Sequence, residues 1–110
     1  MAALKRIAGP AYIAGSATNI YTPPASTIYT VIQHIHITNV TAGAITFTLY
    51  IGTTGGSTGG TEIFNDYSVA AKSTLDYYGR TFMASTDFLV GIASAATSLT
   101  ILVEGEQHVV

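Results

Sequence analysis

The sequence predicts an all-β fold, a sandwich or a small barrel, on three observations. Apolar and polar residues alternate with a period of two in its most ordered segments, as in Ile45, Phe47, Leu49 and Ile51 against Thr46, Thr48 and Tyr50. Seven to nine such short segments, rich in β-branched and aromatic residues, follow one another at roughly even spacing with turn signals between them. No segment carries the 3.6-residue periodicity of an amphipathic helix, and Tyr67 to Thr74 is the one place where a helical turn fits.

Residues 2 to 15 hold small apolar residues punctuated by Gly9-Pro10 and Gly15, which suits an extended N-terminal arm or, equally, an edge strand. Ala17 to Thr22 reads as a short strand, stopped by Pro23-Pro24 because two backbone donors are missing there. The stretch Ile28 to Ile51 is the most strongly patterned of the chain, and its VTAG linker ending in Gly43 predicts a central antiparallel hairpin. GTTGGSTGG, Gly52 to Gly60, has no periodicity and reads as a loop. Strands are expected over Thr61 to Ala71 and Ser73 to Tyr78. Asp87 to Ser94 and Ser98 to Glu104 are expected to form a closing pair, with Leu99, Ile101 and Val103 alternating against Thr100, Leu102 and Glu104. Leu102 interrupts that polar face, so the face is expected to be covered.

Length and composition narrow the function. The 110 residues suffice for about one domain. Charged residues make up 9% of the chain, against about 25% in an average domain. Ten charged side chains cannot cover the surface of so small a domain, which points to burial against neighbours in an assembly. The net charge of -2 and only four Lys plus Arg leave no basic stripe for nucleic acid. With no Cys there are no disulfides, thiolate metal sites or thiol nucleophiles. The first fifteen residues lack the apolar core of a signal peptide, and no run nears the roughly 18 apolar residues of a membrane helix. The expected product is made in the cytoplasm and does not enter a membrane.

Few residues suggest chemistry. Gly55-Gly56-Ser57-Thr58-Gly59 has the letters of a hydrolase nucleophile elbow, but neither the following helix nor the large α/β sheet which that chemistry needs. His34 and His36 share one strand face at i and i+2, about 7 Å apart at the backbone. A metal site needs three or four ligands, and the spacing supplies none beyond the pair. The expectation is no metal and no cofactor, with both histidines half-exposed at a subunit contact that weakens below about pH 6 as they charge. Asp76-Tyr77-Tyr78 suggests the alternative of a glycan-stacking patch on Tyr77 and Tyr78, since aromatic faces beside acceptors suit sugars. Asn39 is expected to shape the turn after it.

From Lys5 to Gly105 the chain resembles small virion proteins of tailed bacteriophages. The likeness rests on KRIAGPAYIAG, on IYT before the first long strand, on HIHITN running through VTAGAITFTLYIG, on TEIF, on a tyrosine before Gly79, and on DFLVGIASAATSLTILVEGE. Members are head decoration (cement) proteins or small tail and adhesion components. The resemblance implies a single antiparallel β-sandwich, jelly-roll-like, over residues 17–110, preceded by an arm over residues 1–16. It brings no catalytic residues. The expected function is a non-enzymatic decoration protein on the outer head surface, an oligomer and most simply a trimer, that staples major capsid subunits. A tail, baseplate or adhesin component, or a carbohydrate-binding module, is the alternative. The arm, through Leu4, Lys5, Arg6, Ile7, Tyr12 and Ile13, is expected to dock on a neighbour or the capsid. The face carrying Ile32, His34 and His36 is expected to mediate self-association.

Overall fold

The computed structural model describes residues 4–53 and 59–110. The letter match around Ser57 lies outside these residues. Eight strands are present: β1 (Lys5–Tyr12), β2 (Thr18–Tyr21), β3 (Thr27–Asn39), β4 (Ile45–Gly52), β5 (Glu62–Val69), β6 (Thr74–Ala84), β7 (Phe88–Ala93) and β8 (Leu99–Val109). They form two four-stranded sheets, ordered β1-β8-β3-β6 and β2-β7-β4-β5, with antiparallel pairing throughout. The fold is the expected all-β sandwich. Successive strands change sheet at every connection except β4 to β5, the jelly-roll-like way of wrapping a chain around one core.

That wrapping corrects two pairings. β3 and β4 do not form a hairpin, and β7 and β8 do not pair with each other; each couple is split between the sheets. Alternation tells which side chains face inward, and that much holds: Phe47 and Leu49 of β4, and Leu99, Ile101 and Val103 of β8, are all buried. It does not tell which strand lies alongside. The corner after β3 is fixed by Asn39, which is 1% exposed. Its Nδ2 donates to the carbonyls of Gly43 (2.8 Å) and Val69 (2.9 Å), and its Oδ1 accepts from the Thr41 amide (2.9 Å) and hydroxyl (2.7 Å). Asn39 therefore shapes the turn as expected, but the turn carries the chain from one sheet to the other.

The expected arm needs a correction as well. Residues 5–12 form an edge strand paired with β8, so the boundary at residue 16 divides nothing in the sheet. Ile13 follows it into the core, its amide donating to the Leu99 carbonyl at 2.8 Å. Gly9 (φ 75°) allows β1 to shift register at this point, where a Cβ would collide with the Ile101 carbonyl.

The core lies between the sheets. Ile32, Ile35 and Ile37 of β3, Met83 of β6 and Ile101 and Val103 of β8 face Phe47, Leu49, Leu89 and Ala93 of the other sheet. Tyr77 of β6 reaches across to set its ring edge-on to Phe64 of β5 (5.5 Å between centroids). Burial at about 25 cal/mol per Å² of apolar surface makes this layer the main source of stability.

Candidate functional site

On β3 the inward residues Thr30 and Ile32 are followed by Ile35 and Ile37, so the alternation skips one place. A bulge between Ile32 and His34 accounts for this: β3 advances two residues while β8 advances one, from Gly105 to Glu104. Ile32 consequently sits at 0% exposure in the core, whereas His34 and His36 occupy the outer face. The expectation that Ile32, His34 and His36 share a face is overturned by this one extra residue. Gly105 makes room for the bulge, because a Cβ there would run into the Val31 carbonyl and lie 3.0 Å from Ile32 Cα.

Beyond the bulge the sheet is regular, and three strands bring polar side chains into one row. His36 is directly opposite Asp76 on β6, and His34 directly opposite Glu104 on β8 and Tyr78 on β6. His34 Nε2 lies 2.7 Å from Asp76 Oδ1, and its Nδ1 lies 2.8 Å from Glu104 Oε1. His36 Nδ1 lies 2.6 Å from the same Asp76 oxygen, and its Nε2 3.2 Å from Thr38 Oγ1. The Tyr78 ring stacks on His34 at 4.5 Å with 6° between planes, which fixes the tilt of the imidazole.

The electrostatics follow from this geometry. Both ring nitrogens of His34 face carboxylates, so only the imidazolium can donate to both. Hydrogen bonding to Glu104 and then to Asp76 raises the His34 pKa above its ordinary 6.5, against a smaller opposing effect of burial. Hydrogen bonds from His36 and then His34 hold Asp76 below its ordinary 3.8. Charge gained by His34 on acidification is thus met by carboxylates of the same chain.

The other residues singled out in the sequence scatter. Leu4, Lys5, Arg6 and Tyr12 are exposed along the β1 edge, with Lys5 Nζ donating to Gln107 Oε1 at 2.8 Å. Ile7 packs against the core and Ile13 is 1% exposed, so neither is free to dock. Tyr77 and Tyr78, as strand neighbours, point to opposite faces; Tyr77 packs inward while Tyr78 is 73% exposed, and they form no shared sugar platform. The sequence reading missed Asp76, Glu104 and Thr38 as partners of the histidines. Each sits at an outward alternating position; Asp76 and Glu104 are 42 and 70 residues from His34 along the chain, whereas Thr38 is two residues from His36 on the same strand.

Further along the same face, Tyr29 stacks on His108 (4.2 Å) and on Phe82 (5.5 Å), and Phe82 is 62% exposed. Glu106 bridges Gln33 and His108 at 3.0 and 3.1 Å. Two depressions among the described residues, of about 110 and 130 Å³, lie elsewhere, beside Thr48 and beside Gly91. Both fall below the roughly 300 Å³ at which small-molecule pockets begin.

No protein-family profile matches the chain, and no curated protein matches it significantly. Similar solved structures exist. One comes from work titled "Bacillus endospore appendages form a novel family of disulfide-linked pili", with a TM-score of 0.56 and 16% identity over 98% of this chain and 88% of that one. Another is the infectious bursal disease virus Gx strain, at 0.54 and 11% over 96% of this chain. This chain spans 31% of that viral protein's length. A pentameric capsid protein isolated from metagenomic phage sequences aligns more loosely, at 0.37 and 17%. At such identities the likeness to the first two shows a shared β-sandwich fold.

Proposed function

We propose that this chain is a structural virion protein of a tailed bacteriophage: a head decoration protein that bridges major capsid subunits as a homo-oligomer, with three copies the simplest arrangement. The observation that carries the reading is the outer face of the β1-β8-β3-β6 sheet. It exposes Tyr78 and Phe82 around the row of Asp76, Glu104 and Glu106, and aromatic residues are enriched in the interfaces that proteins bury. The resemblance to small phage virion proteins and the sandwich fold support it. Several contacts of modest strength per copy add up to a firm clamp when each copy spans two capsid subunits. The β1 edge, with Leu4, Lys5, Arg6 and Tyr12, offers a second contact, since an edge strand has free backbone donors and acceptors. The chain has no Cys, so its assembly does not use the disulfide linkage of the pili it resembles in fold.

Quantitative mass spectrometry and cryo-electron microscopy of purified particles test this reading. Hundreds of copies on the head are expected. A few copies at the tail would make it a tail or baseplate component, and absence from particles would refute a virion role. Tyr78, exposed on the flat of an imidazole beside Asp76, keeps a glycan-binding reading in view. Glycan-array binding lost in Tyr78→Ala would favour it.

A further inference from the structure

We propose that His34, His36 and Asp76 form a binding site for one divalent transition-metal ion of the zinc type. The site does not depend on the virion reading. One ligand atom from each of the three residues lies within 4.8 Å of the other two. His34 Nε2 and His36 Nδ1 converge on a single carboxylate oxygen, at 2.7 and 2.6 Å. Metal–ligand bonds of about 2.0 to 2.1 Å at tetrahedral angles set neighbouring donors about 3.3 Å apart. From separations of no more than 4.8 Å, movements of about 1 Å per side chain, within reach of rotation about χ1 and χ2, would fit the cluster around an ion. Two imidazoles and one carboxylate suit Zn²⁺, Co²⁺ or Ni²⁺, whereas Ca²⁺ and Mg²⁺ prefer an all-oxygen set.

The surroundings distinguish this cluster from a chance meeting of polar side chains. Metal-binding histidines hold their second nitrogen on an oxygen, which fixes tautomer and ring direction. Both histidines do so here. His34 Nδ1 is held by Glu104 at 2.8 Å, leaving Nε2 for the ion, and His36 Nε2 is held by Thr38 at 3.2 Å, leaving Nδ1. The Tyr78 ring locks the plane of His34. All three ligands stand on regular strands within the sheet, with β3 flanked on both sides, so the site needs no loop to order before it binds. The side chains of His36 and Asp76 remain 35% and 36% exposed, which gives the ion an entry path and leaves a fourth position to solvent.

The test uses the untagged chain, stripped with EDTA and titrated with ZnCl₂ by calorimetry. One ion per chain is expected, with affinity lowered about 100-fold or more in His36→Ala and in Asp76→Asn. Glu104→Gln, acting only through His34, should keep the stoichiometry and lower affinity roughly 10- to 100-fold. Imidazole nitrogen resonances of the unmutated chain give a readout that needs no variant to fold: Zn²⁺ should shift His34 Nε2 and His36 Nδ1 and leave His108 unmoved. Absence of binding, affinity unchanged in both ligand variants, or a shift confined to His108 would overturn the site.

Discussion

His34 and Glu104 stand 70 residues apart in sequence, yet the Nδ1 of one and the Oε1 of the other lie 2.8 Å apart on adjacent strands. On the opposite side of the same ring Asp76 holds Nε2, so a single imidazole is suspended between carboxylates from two neighbouring strands.

This arrangement sets a pH dependence of stability in the metal-free chain. The pKa of His34 is raised in the folded state by Glu104 and Asp76, with His36 and the stacked Tyr78 the other titratable side chains facing it among the described residues. Its contribution is complete below the unfolded value of 6.5 and fades as pH rises through the higher folded value. Asp76 is depressed, so its contribution is present above 3.8 and is lost as pH falls through its lower folded value. The difference in melting temperature between the unmutated chain and His34→Gln should therefore be widest near about pH 5 to 6 and narrow toward about pH 8. A difference that grows with pH would contradict the ion-pair geometry.

Gly105→Ala should destabilise the fold by about 2 kcal/mol or more, because the added methyl meets backbone of Val31 and Ile32 rather than a side chain that can swing away. Gly43→Ala is the control, with nothing within 4 Å of the new methyl. Urea unfolding of the two variants checks this, and equal midpoints would mean that the bulge tolerates a Cβ.

Asn39→Ala should cost about 2 to 4 kcal/mol, since it strips partners from the Gly43 and Val69 carbonyls and from the Thr41 amide at a buried corner. Asn39→Asp keeps the acceptor but turns a buried carboxylate oxygen on the Gly43 and Val69 carbonyls where an amide donated, and should cost at least as much as Asn39→Ala. Denaturant midpoints of the three proteins give the order.

Tyr78→Ser and Phe82→Ser should cost no more than about 1.5 kcal/mol, the worth of one stacked ring pair each, as both rings are otherwise largely exposed. Under the proposed function the same variants should lose attachment to purified heads, measured by co-sedimentation. Unimpaired attachment would move the contact surface elsewhere, with the β1 edge next to be tried.

Much of the fold was legible in the residues. The inward sets of β4 and β8 could be read directly from alternation, the Pro23-Pro24 stop closed β2 where it falls, and Asn39 announced its corner. Pairing was not legible, because a strand's period of two is the same whichever neighbour it has. Half of the site was visible as the His34/His36 pair. Asp76 and Glu104 could not be attached to that pair without knowing that β3 lies between β6 and β8. Nor could the extra residue at Gln33 be seen, since Ile32 and His34 keep the spacing of residues on one face while the backbone between them bulges.

The strand order has a consequence for synthesis on the ribosome. β8 lies between β1 and β3, so the first sheet has a gap in its middle until residues 99–109 have been made. Until then β1 has no partner, β3 lacks one of its two, and the apolar sides of both are open to solvent or to other nascent chains. Folding must therefore wait for nearly all of this chain, and a premature stop before Leu99 should yield an aggregating fragment rather than a smaller domain.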